Sequence, residues 1–432
     1  MSKLSYRASI DFLFKLETSA VKLGLGNTLG LLSAMGNPEA SFQSVHVAGT
    51  NGKGSVASFL NSILFHNGLA TGLFTSPHLV DYRERVRKNG AAISEGKVAE
   101  IVSEIRDPVK RTGASYFEAT TALAFDYFRR ERVDVAVVEV GMGGRLDSTN
   151  VISPLATCIT NIGFDHEQYL GRTLAKIAGE KAGIIKAGVP VVCGAMPAGA
   201  RRTITGVARE KGAPVFETGD HTAVKIVKAD LAGSVFEYRG LGPRRTLAIS
   251  LLGSHQVANA ALAVLTAEVL TRAGLKVSDR AIEVGLARAR WPGRLQMIRH
   301  RPPVIVDGAH NVSGARVLTR SLGELGIKRP VTVFGVLRDK NCEKMLAALS
   351  RHAGRFVFTS PAYHRALPLS QLRRAGKALG LDARGFPTVA GALEHALRQV
   401  DRGEAILVCG SLYVIGEAMQ FLGYRPQCIR LC

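Results

Sequence analysis

The feature that most constrains this chain is a recurring unit. A short run of β-branched and apolar residues ends in a glycine-rich turn, and a stretch with helical spacing follows. The runs 44–49 (SVHVAG), 133–141 (VDVAVVEVG), 154–163 (PLATCITNIG) and 190–193 behave this way. So do 304–309 (VIVDGA), 331–337 (VTVFGVL), 355–360 (RFVFTS) and 405–411 (AILVCGS). Strands that are apolar throughout and separated by helices pair in parallel, because each crossover lays a helix over one face of the sheet. The reading is an α/β fold. Open α/β sheets bind ligands beyond the carboxyl ends of their strands, so chemistry is expected in the turns that follow these runs.

The pattern breaks at Trp291-Pro292-Gly293-Arg294, after a helical run over 279–290, and a fresh α/β series starts at 304. At roughly 150 residues per domain, a chain of 432 has room for two or three. The expected division is an N-terminal P-loop mononucleotide-binding domain with a mostly parallel sheet over 1–295 and a smaller Rossmann-like α/β domain over 296–432. Between roughly 214 and 250 the sequence is more β-like and reads as hairpins.

Composition removes several classes of function. Glycine is frequent, 46 residues, but has no three-residue period, so collagen is excluded. Six cysteines without a CxxC pair are too sparse for a disulfide framework, and the close pair Cys428 and Cys432 reads as a tail rather than a metal site. No secretory signal opens the sequence, and no run of about 18 apolar residues could span a membrane, so a cytoplasmic enzyme is expected. Net charge is +21, densest in residues 301–432 at +10, yet no Lys/Arg run exceeds two residues. A charge spread this way suits steering of polyanionic small molecules better than gripping nucleic acid.

The strongest motif is the loop Gly49-Thr50-Asn51-Gly52-Lys53-Gly54-Ser55, between a strand and a helix expected over 56–67. Glycines let backbone N–H groups turn toward phosphate, and the helix N-terminus favours an anion. Lys53 would reach the β- and γ-phosphates and Ser55 would hold Mg²⁺. The spacing departs from GxxxxGK[ST]: Val47 occupies the first glycine position, and Gly54 separates Lys53 from Ser55. An ordinary strand-to-helix turn is the competing reading.

Further fragments stand after strand ends: 75–79 (TSPHL) with Arg85 beyond it, 139–150 (EVGMGGRLDSTN), Asp165-His166, 180–186 (EKAGIIK) and 307–311 (DGAHN). Each has a plainer reading. Glu139 could be a paired strand carboxylate, His166 a core or cap histidine, Lys181 a solvated helix lysine, and Asp307 and His310 caps of the next helix.

Together and in this order, HVAGTNGKGS, TSPHL, EVGMGGRLDSTN, EKAGIIK and DGAHN resemble the folylpolyglutamate synthase/dihydrofolate synthase family of the Mur ligase superfamily. The resemblance runs from the Leu23–Leu32 segment to Gly410-Ser411-Leu412-Tyr413. It implies MgATP on Gly49–Ser55, with Mg²⁺ ligands at Ser55, Ser76, Glu139 and His166. It further implies a carbamylated Lys181, Asn259 on the adenine and ribose side, Arg294 reaching phosphate as the domains close, and Asp307 and His310 as nucleotide- and substrate-side groups. Arg85 and Ser411 resemble contacts to glutamate or folate, and K⁺ belongs to the same set of expectations. The implied protein is a monomeric ATP-dependent ligase that adds L-glutamate to dihydropteroate, to folates, or to both.

Such a ligase must activate a carboxylate, because carboxylate and ammonium do not condense in water. Transfer of the γ-phosphoryl group gives an acyl phosphate, with Lys53 and Mg²⁺ neutralising charge; the glutamate amine then displaces phosphate. Three rivals are weaker. A peptidoglycan Mur ligase would need a further domain ahead of Gly49. A basic nucleic-acid-binding NTPase would need a clustered basic face. A Rossmann oxidoreductase would need GxGxxG spacing, which Gly141-Met142-Gly143-Gly144 lacks.

Overall fold

The computed structural model describes residues 4–18 and 24–425. Cys428, Cys432 and Leu23 lie outside the described residues. The apolar runs form strands where they were read, and shorter strands complete two sheets. The larger sheet comprises β1 (Gln43–Ala48), β2 (Thr71–Phe74), β3 (Val86–Lys88), β4 (Ala91–Ala92), β5 (Val135–Glu139), β6 (Ala156–Ile159), β7 (Val191–Cys193) and β8 (Val215–Glu217). Its order is β4-β3-β2-β5-β1-β6-β7-β8, parallel from β2 to β8, with β3 and β4 antiparallel at one edge. β1, β5 and β6 sit at the centre and are almost wholly buried, which is why their sequences are apolar on both faces.

The β-like patch becomes a separate antiparallel sheet of β9 (Ala223–Asp230), β10 (Gly233–Arg239) and β11 (Arg245–Ile249). A third sheet holds β12 (Gln296–His300), β13 (Pro303–Val306), β14 (Val331–Phe334), β15 (Arg355–Thr359), β16 (Ala383–Phe386) and β17 (Ile406–Cys409), in the order β12-β13-β17-β14-β15-β16. Only β12 runs antiparallel to its neighbour in that sheet.

The helix after the phosphate loop runs Lys53–His66, starting three residues earlier than its apolar spacing suggests, because Gly52 takes a left-handed φ of 82° and caps it. Its buried face carries Phe59, Leu60 and Ile63, which share one core with Val264 and Leu265 of helix Ser254–Arg272 and with Phe236 and Tyr238 of β10. Each such side chain contributes about 1.5–3 kcal/mol when removed from water. Helix Asp279–Arg288 presses against the same helix at Gly285, where a Cβ would stand 2.5 Å from the Ile63 Cα. That core fixes the phosphate loop from below. Among the described residues no helix is long and apolar enough to cross a membrane.

Pro292-Gly293 lies between the last helix packed on the larger sheet's core and the first strand of the third sheet. The segment leaves helix Asp279–Arg288 and enters β12, tied to the third sheet by a bond from the Gly308 N–H to the Gly293 carbonyl (2.9 Å). Asp307, at the end of β13, accepts from the backbone N–H groups of Leu295 and Ala309, both at 2.8 Å.

Candidate active site

The carboxyl ends of the central strands in the larger sheet face those of β13, β14 and β17 across one cavity of about 430 Å³. Gly49–Ser55 line it after β1, Ser76 after β2, Glu139 at the end of β5 and His166 after β6. Arg294 enters from the connecting segment, and Asp307, His310 and Ser411 from the third sheet. Lys181 and Asn259 open onto it from helices Leu174–Ala182 and Ser254–Arg272. Every residue expected to meet nucleotide or metal therefore borders one space, and so does Ser411.

Arg85 does not border it. Its side chain is buried behind the Thr75–Pro77 turn, donating Nε–H to Nδ1 of His78 (2.8 Å), with its guanidinium over the Tyr116 ring (5.3 Å).

The extra glycine in the phosphate loop has a steric cause. A Cβ on Gly54 would lie 2.7 Å from the indole of Trp291, which packs against the helix start. Gly52 is required twice over, by its positive φ and by the Asn259 carboxamide, which would stand 2.7 Å from an added Cβ. Lys53 folds onto its own loop, donating to the carbonyls of Gly49 and Thr50, each at 3.2 Å.

Lys181 is buried, not solvated. At 4% exposure its Nζ donates to the Gly49 carbonyl at 2.7 Å. Burial, reinforced by the charge of Lys53, lowers its pKa to about 7. An amine in that condition is largely neutral just above neutral pH.

Glu139 is a buried carboxylate whose one hydrogen bond among the described residues comes from the Ser76 backbone N–H (3.2 Å). Burial raises its pKa, while Lys53 and Arg294 work the other way. A buried carboxylate so lightly satisfied leaves most of its lone pairs without a protein partner among the described residues. His166 has a left-handed φ of 49° at the start of helix Glu167–Leu170. Its side chain does not cap that helix, and burial pushes its pKa down to about 4, leaving a neutral ring. Asp307 and His310 do not cap the following helix either: Asn311 does, accepting from the Gly314 N–H at 2.8 Å.

Two side chains given no role in the sequence also line the cavity: Asp165, named there only as part of the Asp165-His166 fragment, and Lys340, after β14, which no motif marks. Burial disfavours the Asp165 charge, yet His310, His166 and Lys340 around it hold its carboxyl far below the usual range. Their one sequence signal is position, just beyond a strand end.

A phosphate loop, a buried carboxylate and a low-pKa lysine facing a second α/β sheet define a nucleotide-dependent ligase of the Mur type. Residues 47–267 match the Mur ligase middle domain, and residues 293–412 match the Mur ligase glutamate ligase domain. The chain is 36% identical to dihydrofolate synthase/folylpolyglutamate synthase of Bacillus subtilis, over 92% of this chain and 94% of the relative. It is 33% identical to the Escherichia coli enzyme of the same name, over 96% and 95%. Mycobacterium tuberculosis folylpolyglutamate synthase, solved with ADP and AMPPCP, superposes with a TM-score of 0.90 at 34% identity, covering 97% of this chain and 100% of the other. Escherichia coli FolC, solved with DHPP and ADP, gives 0.86 at 31% identity, covering 97% and 98%. The chain belongs to the dihydrofolate synthase/folylpolyglutamate synthase family of Mur ligases, which are ATP-dependent amide ligases.

Proposed function

We propose that this chain joins L-glutamate to dihydropteroate and to folates, transferring the γ-phosphoryl group of ATP to the carboxylate to give ADP and an acyl phosphate, from which the glutamate amine displaces phosphate. The observation that carries the reading is the convergence of Lys53, Glu139 and Lys181 with Arg294, Asp307 and His310 on one cavity between two sheets. Relatives named for both activities, and the E. coli structure holding DHPP with ADP, support it.

The roles follow from position. Backbone N–H groups of Gly49–Ser55 receive the nucleotide phosphates. Lys53, now held by two loop carbonyls, exchanges them for the γ-phosphate and neutralises charge as that group transfers. Arg294, on the segment between the sheets, adds a second positive charge from the opposite wall. Asn259, seated against Gly52, keeps the loop in shape and contributes to the nucleoside side.

The residues fit a magnesium ion. Glu139 offers a buried, underused carboxylate, Ser55 and Ser76 offer hydroxyls, and His166 a neutral imidazole. This set falls short of an all-protein cage, as suits a cation that keeps water and phosphate oxygens in its shell. Bound there, Mg²⁺ would supply charge neutralisation at the phosphoryl group. Lys181, once carbamylated, would place an anion beside it. His310, with Nδ1 toward the Gly308 carbonyl (2.7 Å) and Nε2 3.5 Å from Asp165 Oδ2 at the cavity wall, orients the incoming amine. Ser411, capping helix Leu412–Phe421, faces the substrate carboxylates.

The test is an ADP-release assay with L-glutamate and, separately, dihydropteroate, dihydrofolate and tetrahydrofolate. Turnover with dihydropteroate and at least one folate is expected, and Lys53→Ala should abolish it while leaving the melting temperature unchanged. Near-normal turnover of Lys53→Ala at saturating ATP would overturn the phosphate-loop assignment.

A further inference from the structure

Four loops far apart in the chain meet at the seam between the larger sheet and the third sheet. The centre of the meeting is Asn311, only 4% exposed. Its Oδ1 accepts from the Gly314 N–H (2.8 Å) and the Ser313 hydroxyl (2.9 Å), the ordinary work of a helix N-cap. Its Nδ2 does something a cap does not need. It donates to Oδ1 of Asn51 in the phosphate loop (2.9 Å) and to Oδ2 of Asp165 after β6 (3.1 Å). Asn51 answers by donating Nδ2 to the Ser313 hydroxyl (2.8 Å). Asp165 receives the Lys340 ammonium on Oδ1 (2.5 Å), and His310 Nε2 stands 3.5 Å from Oδ2.

Asn51 and Asp165 belong to the larger sheet's loops, Asn311 and Lys340 to the third sheet's. Apart from the backbone N–H of His166 and its ring, whose Nε2 stands 3.9 Å from Oδ1, the polar partners of Asp165 among the described residues lie across the seam. The Asp165 and Lys340 side chains are only 8% and 7% exposed. Opening the seam would therefore separate a charge pair and two amide donors from their partners at once, so the contact is a single network rather than independent bonds.

We propose that Asn311 and Asp165 are positioning residues that clasp the third sheet onto the phosphate loop, through Asn51 and Lys340, so that filling the loop and sealing the cavity become one event. The consequence for chemistry rests on the amide-ligase reading; the clasp itself does not. An acyl phosphate in an unsealed cavity meets water, which displaces phosphate and returns the carboxylate, inorganic phosphate and a proton. ADP then forms with no amide bond to show for it.

The discriminating substitution is Asn311→Asp. Aspartate keeps the N-cap acceptor, so the helix stays capped, but it replaces both Nδ2 donors with an oxygen facing the Asp165 carboxylate and the Asn51 carbonyl. The full-length variant is assayed with MgATP, dihydropteroate and glutamate for ADP formed per amide formed. It is also measured by small-angle scattering with a non-hydrolysable ATP analogue. The clasp predicts one ADP per amide in the parent chain, an excess of ADP in the variant, and amide formation slowed by up to about 100-fold. It also predicts a larger radius of gyration for the variant. One ADP per amide together with parent-like scattering, in a variant that melts cooperatively, would overturn it. Should Asn311→Asp fail to fold, Asp165→Asn carries the same test. If the parent chain forms no amide at all, the function reading falls, and scattering alone decides the clasp: expansion of the variant supports it and identical scattering refutes it.

Discussion

Lysine 181 offers the sharpest quantitative test of the site. Its pKa of about 7 results first from burial and second from the neighbouring Lys53 charge. At pH 8 an amine with that pKa is about nine-tenths neutral, whereas a lysine at the ordinary 10.5 is about 0.3% neutral, an enrichment of roughly 300-fold. Carbon dioxide adds only to the neutral amine, so Lys181 should be carbamylated well ahead of the chain's other lysines. The assay is ¹³C NMR of the protein in ¹³C-bicarbonate from pH 6 to 8.5. One carbamate resonance is expected to grow with a midpoint near pH 7 and to vanish in Lys181→Met. The same variant should lose turnover and recover part of it with acetate or formate. A fully active enzyme at pH 8 with an unmodified lysine and no carbamate signal would refute the reasoning, as would a carbamate signal no stronger at pH 8 than that of the other lysines.

Glu139→Gln should lower turnover by about 10²- to 10³-fold and raise the Mg²⁺ concentration needed for half-maximal rate. Its melting temperature without nucleotide should hold or rise, since an uncompensated buried charge is removed; a loss of melting temperature with unchanged Mg²⁺ dependence would mark Glu139 as structural. His46, buried on β1 and bonded through Nε2 to the Thr149 hydroxyl (2.8 Å), has its pKa pushed down to about 3, by burial first and the Lys186 charge second. Its folded pKa lies below the unfolded value of 6.5, so the unfolded chain takes up the proton first. Stability should fall as pH drops from about 6.5 toward 3, by about 1.4 kcal/mol per unit from this group. Urea melts at pH 7 and 5 should show that slope, and His46→Gln should flatten it. Gly285→Ala, which sets a methyl against the Ile63 backbone, should cost about 1–3 kcal/mol; calorimetry showing no change would mean the two helices separate freely.

Much of the fold was readable because central parallel strands must be apolar throughout, and runs such as 133–141 and 405–411 have few other uses. β2 was legible only as the strand end ahead of the 75–79 fragment, for the opposite reason. It is four residues long and contains Gly72, which is there because the Phe128 ring would meet a Cβ at 2.9 Å. The phosphate loop was readable from local order alone, even with Gly54 out of place, but the cause of that glycine, Trp291, lies 237 positions away. Lys181 looked like a surface residue because helical spacing does not say which neighbour will cover a side chain; the Gly49 carbonyl does so from 132 residues distant. Asp165, Asn311 and Lys340 carry no local signal of their pairing, since the bonds among them join loops of different sheets.

Trp291 has a spectroscopic consequence. It is the chain's one tryptophan, and its indole lies against Gly54 at the mouth of the phosphate loop, one residue before the Pro292-Gly293 turn. The ultraviolet emission of this molecule, excited at the red edge where tyrosine is silent, therefore comes from a single place in it. That place touches both the nucleotide cradle and the segment leading to the other sheet, so an unlabelled sample carries its own optical gauge of what happens between them.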